Sequence, residues 1–112
     1  MSVTYFEQQK LLKRFDKMVT KNTFSNFTQN EAGVIKIDIS NRQKAEFIAV
    51  QSLFIAADAS VIDKARGIGG RIAIIYHKEE RRLVVTVYGP NEKQAPLSKI
   101  AVHGNARSTE AA

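Results

Sequence analysis

The sequence predicts an α+β fold in which helices cover an antiparallel sheet. Three observations lead there. The chain opens with apolar and charged residues at helical spacing, and Val34–Ser40 alternates strictly. Two further β-rich runs, Arg71–His77 and Arg82–Tyr88, are joined by a short charged turn.

Residues 4–21 form the first predicted helix. At about 100° per residue, Lys10, Lys13, Arg14, Lys17 and Lys21 share a stripe about a third of the circumference wide. Leu11, Leu12, Phe15, Met18 and Val19 take the opposite side, with Tyr5 at its edge. Glu7 and Asp16 dilute the positive charge only locally. Such a helix docks its apolar side on a core and shows cations to solvent. Phe6 projects within the cationic sector, where an aromatic ring suits a stacked base. The expectation is that it folds against a neighbouring element instead.

Residues 23–29, with Phe24 and Phe27, are the expected hairpin partner of Val34–Ser40. Asn30, Glu31, Ala32 and Gly33 supply the turn, where Gly33 tolerates a positive φ. In the second strand Ile35, Ile37 and Ile39 face one way and Lys36, Asp38 and Ser40 the other, the pattern of a half-buried strand.

A second, long helix is expected over residues 42–66, capped by Ser40 or Asn41. Its middle, 45–57, is apolar apart from Glu46, Gln51 and Ser52, and it holds neither Gly nor Pro. A helix apolar on most sides is buried on most sides. If one copy of the sheet leaves Phe47, Ile48, Val50, Leu53, Phe54 and Ile55 uncovered, a two-fold partner would cover them, so a homodimer is expected. Gly67 is placed to end the helix as its C′ residue.

Arg71–His77 is apolar on both sides and so an interior strand. The turn Lys78, Glu79, Glu80 and Arg81 leads to Arg82–Tyr88, which Gly89 and Pro90 end. Residues 96–103 offer a short edge strand or a helical turn, and 104–112 a disordered tail, leaving one domain over 1–103. The order of elements, with an Ala-rich central helix and the Asn-Glu-Ala-Gly turn before a strand, resembles the roadblock family of small dimeric domains. That resemblance spans residues 4–88 and implies a scaffold or regulator whose partner is another protein.

Composition narrows the chemistry. The 112 residues carry 17 Lys and Arg against 11 Asp and Glu, a formal net charge of +6, which favours an acidic partner. With no cysteine, disulfides, thiolate nucleophiles and cysteine-based metal sites are excluded. No apolar run approaches the roughly 20 residues that span a bilayer, and charges recur from Glu7 onward, unlike a secretory signal. The expectation is a cytoplasmic chain.

Catalytic and cofactor motifs are missing. His77 and His103, the two imidazoles, lie far apart in sequence, and neither a zinc-binding His pair nor a carboxylate pair is suggested. Three glycines in the run 66–71, bracketed by Arg66 and Arg71, would expose backbone N–H groups to a phosphate. The spacing Gly67 to Gly70 suits the loop by which KH domains clamp a backbone, but there a helix follows, and here a strand does. No P-loop pattern is present either, so a helix stop is the plainer reading. Lys78 to Arg82 reads as a solvated turn because its charges nearly cancel.

These readings converge on a non-enzymatic nucleic-acid-binding protein, DNA or RNA, without cofactor or metal. Lys10, Lys13, Arg14, Lys17 and Lys21 are the expected phosphate contacts, and Arg66 and Arg71 the secondary ones. A solvated face, adsorption to an anionic membrane, or a dimeric protein-interaction module without nucleic-acid affinity are the alternatives.

Overall fold

The computed structural model describes residues 5–91 and 93–104. Eight elements follow in order: α1 (Tyr5–Thr20), β1 (Phe27–Gln29), β2 (Val34–Ser40), α2 (Lys44–Gln51), α3 (Ala56–Gly67), β3 (Arg71–His77), β4 (Arg82–Tyr88) and β5 (Ser98–His103). The α+β class therefore holds. All five strands join one antiparallel sheet in the order β1-β2-β3-β4-β5.

Register explains why the sheet is apolar on one side. Ile35, Tyr76, Leu83 and Val102 lie in one row across it; Ile37, Ile74, Val85 and Ile100 form the next. Ile39, Ile72 and Val87 begin a third. All are buried. The helices cover this side, α1 against β5, α2 against β2, and α3 against β4 and β5. Phe15 of α1 sits fully buried, with its ring edge-on to Tyr76 at 5.0 Å and tilted against Phe24 at 5.7 Å. The opposite side carries no helix among the described residues. It shows Lys36, Ile75, Val84 and Ala101 in one row and Asp38, Ala73, Thr86 and Lys99 in the next. β3 is the central strand, as its apolar run predicts, but Ile75 is 38% exposed on the open side.

The expected long helix is broken. Residues 52–55 separate α2 from α3, and neither Ser40 nor Asn41 caps α2, whose N-cap is Gln43. Ser40 instead engages Gln43, its backbone N–H donating to Oε1 at 3.0 Å. At the break the helical bonds tighten, Leu53 N–H donating to Val50 O and Phe54 N–H to Gln51 O. Ile55 is extended and Ala56 takes φ 58°, a conformation costing an alanine roughly 1–2 kcal/mol. What offsets that cost is burial: the bend sends Leu53 and Phe54 into the same core as Phe47, Val50 and Ile62. One chain thus buries most of the side chains expected to need a partner. Ile48 and Ile55 remain exposed.

Helix ends differ from expectation in instructive ways. α1 stops at Asn22, φ 58°, where Thr23 N–H donates to Met18 O and Asn22 N–H to Val19 O, the paired bonds of a Schellman cap. In α3 the left-handed residue is Gly69, φ 84°, rather than Gly67, and Gly70 N–H donates to Ala65 O at 2.7 Å. Gly67 is the last helical residue. A Cβ on Gly70 would land on the carbonyl oxygen of Tyr88, so that close approach requires glycine at position 70, while Gly69 makes the left-handed turn.

The first hairpin pairs only over Phe27–Gln29, shorter than the expected 23–29, because Phe24 leaves the sheet to pack on Phe15. Its turn is as expected, with Gly33 at φ 81° and the Asn30 side chain accepting from Val34 N–H at 2.9 Å. Residues 96–103 resolve into the edge strand β5. Gly104, assigned to the tail from sequence, belongs to the fold: it is buried, and its N–H donates to Arg81 O at 2.8 Å. The rest of the expected tail, 105–112, lies outside the described residues.

Candidate functional site

Two glutamines fix the orientation of α1. Gln8 Oε1 accepts from His103 N–H at 2.7 Å, and Gln9 Nε2 donates to the Gly104 carbonyl. Arg81 in turn donates to Gln9 Oε1. The polar edge next to the buried side of α1 is thereby tied to β5 and to the β3–β4 turn. The cationic stripe is left facing outward: Lys10, Lys13, Arg14, Lys17 and Lys21 are all exposed. Lys21 lies just past the helix but continues it, its N–H donating to Lys17 O.

These cations are little used by the fold. Among the described residues no ion pair engages Lys10, Lys13, Lys17 or Lys21. Arg14 donates to the Ser52 carbonyl at 3.2 Å. Of the two diluting acids, Asp16 is drawn toward the sheet, accepting from the Tyr76 hydroxyl and standing 3.9 Å from Lys78 Nζ. Phe6 does not fold against a neighbour, contrary to expectation. It is 70% exposed, with Lys10 Nζ 5.8 Å from its ring centre, a cation–π distance.

The secondary candidates are placed differently. Arg66 pairs with Asp63 at 2.6 Å, one turn earlier on α3. Arg71 lies on the open side of the sheet, pairs with Asp38 at 3.3 Å and covers the Tyr88 ring at 4.3 Å. Since α1 packs on the opposite side, Arg71 does not share a surface with the stripe. The glycine loop between them is a helix stop, with the Gly70 N–H already spent on Ala65. The 78–82 turn is solvated, and its Glu80 carboxylate lies near both His77 and Arg82.

A cleft of about 580 Å³ opens between α1 and the start of α3. Leu11, Leu53 and Phe54 form its apolar floor, Lys10 and Arg14 one wall, and Asp58 the other. The sequence reading missed it because it exists only through the break at residues 52–55. On the open sheet side Lys36 stands where the strand alternation places it, and Lys99 of β5, which the sequence reading did not place, lies on the same side.

No family model, curated protein or solved structure matches this chain. The roadblock-like order accordingly stands as a likeness of element order. Among the described residues no group of His, Cys, Asp or Glu could hold a metal ion, and no helix is long and apolar enough to cross a membrane.

Proposed function

We propose that this chain is a non-enzymatic nucleic-acid-binding protein that holds the phosphate backbone on the outward side of α1. The observation that carries this reading is the row Lys10, Lys13, Arg14, Lys17 and Lys21, exposed and with its four lysines free of ion pairs among the described residues. Unpaired cations need not break internal contacts before meeting phosphates, and each one that does so releases counterions. The rigid helix spaces them, so binding is sequence-tolerant and salt-sensitive. Arg66 and Arg71 are weaker contributors, because nearby acids already offset their charge.

The test is fluorescence anisotropy with labelled single- and double-stranded DNA and RNA at about 50 and 200 mM salt. Micromolar or tighter binding that falls steeply with salt supports the reading, as does its loss when Lys10, Arg14 and Lys17 all become Gln. Binding unchanged by that triple substitution removes α1 as the site.

A second reading, a dimeric protein-interaction module, is favoured by the open side of the sheet. There Ile75 stands exposed beside Val84 and Lys36, an apolar centre with a charged border. It requires a protein partner or a second copy, and no nucleic-acid affinity at about 50 mM salt.

A further inference from the structure

Resting on the nucleic-acid reading, we propose that the cleft between α1 and α3 receives one unstacked base, and that the base it favours is guanine. The strand held by α1 is then single-stranded, because a base inside a duplex cannot present its face to a pocket. An unstacked nucleotide has two apolar ring faces, a polar Watson–Crick edge and a phosphate on either side. The cleft distributes its groups in the same way. Leu11, Leu53 and Phe54 offer apolar contact, while Ala56 and Ala57 have side chains short enough to leave the space open. Lys10 and Arg14 belong both to the cleft and to the phosphate-binding stripe, so a strand following the stripe passes the cleft mouth. Phe6, exposed beside Lys10, offers a stacking surface for the neighbouring base.

The choice of base follows from Asp58. Asp58 is a half-buried residue of the cleft lining, and no hydrogen bond or ion pair among the described residues engages its carboxylate. An ionised carboxylate has two acceptor oxygens and no donor. Guanine alone among the common bases presents two adjacent donors, the ring N1–H and the exocyclic amino group, which match one carboxylate. Adenine and cytosine place a ring-nitrogen acceptor beside their amino group, and thymine and uracil flank one N–H with two carbonyls. Each of those arrangements sets an acceptor against the carboxylate. The left-handed Ala56 at the cleft lip is a strained residue of the kind that gathers at ligand sites.

The experiment compares labelled oligo(dT) of about 12 nucleotides with the same strand carrying one central guanine, one central hypoxanthine, or a paired complement. Hypoxanthine keeps the N1–H and lacks the amino group. The full chain should bind the guanine strand at least about 5-fold tighter than the hypoxanthine or all-thymine strand, and pairing should abolish the preference. Ala57→Phe, which fills the cleft, and Asp58→Asn, which leaves its shape, should each bring the guanine strand to the all-thymine level. Lys13→Gln with Lys21→Gln should weaken all strands alike. Equal affinity for the three single strands, unaltered by either cleft variant, overturns the base site while leaving the α1 stripe in place. Absence of binding to every strand at about 50 mM salt overturns both.

Discussion

The Tyr76 hydroxyl of the central strand donates to Asp16 Oδ1 of α1 at 3.0 Å. This bond joins the sheet to the helix that carries the cations, and it holds Asp16, the acid beside Lys17, against the protein. Burial, then the hydrogen bond and the charge of Asp16, push the tyrosine's ionisation well above its ordinary range. The raised value means the folded state keeps its proton where the unfolded chain loses it. Stability from this source is therefore fully present below about pH 10 and falls as pH rises above that. Tyr76→Phe should cost about 1 kcal/mol at neutral pH and should flatten the decline in unfolding free energy above pH 10. Denaturant melts of both proteins across that range check it, with tyrosinate absorbance as the direct titration.

Neighbouring glycines should answer differently to alanine. A Cβ on Gly67 meets nothing within 4 Å, whereas one on Gly70 would strike the Tyr88 carbonyl. Gly67→Ala should hold or raise stability by up to about 1 kcal/mol, as in any helix. Gly70→Ala should destabilise by several times that, since backbone must move. Thermal melts of the two variants give the contrast.

Two phenylalanines of α1 should separate folding from binding. Phe15 is fully buried and Phe6 mostly exposed. Phe15→Ala should cost about 3–5 kcal/mol. Phe6→Ala should change stability by less than about 0.5 kcal/mol while weakening single-stranded nucleic acid severalfold. Unfolding curves and anisotropy on the same preparations check both halves.

If two copies meet through the open side of the sheet, Ile75 is their centre. Ile75→Lys is then expected to convert dimer to monomer in sedimentation equilibrium, and the melting midpoint should lose its dependence on protein concentration. A dimer that survives the substitution places the contact elsewhere.

The strands were readable because Ile35, Ile37 and Ile39 alternate with polar residues, and the sheet buries those three isoleucines. The first helix was readable for the same kind of reason. The break at 52–55 was not: residues 45–57 contain no glycine or proline, and the left-handed turn falls on Ala56, where only tertiary packing makes it worthwhile. The α3 stop was located to within a few residues, but three nearby glycines competed: Gly69 takes the positive φ, and the Tyr88 carbonyl leaves room only for glycine at position 70. The cationic row was legible as periodicity. The cleft beside it was not, since its lining joins Lys10, Leu11 and Arg14 to Leu53, Phe54 and Asp58, residues far apart in sequence.

Contact between the α1 cations and phosphates leaves its signature in the salt dependence of binding. The logarithm of affinity should fall linearly with the logarithm of salt concentration. Changing Lys10, Arg14 and Lys17 together to Gln should make that slope shallower by about 2–3, nearly one per lost phosphate contact. A slope unchanged by the triple substitution would mean that some other surface holds the phosphates.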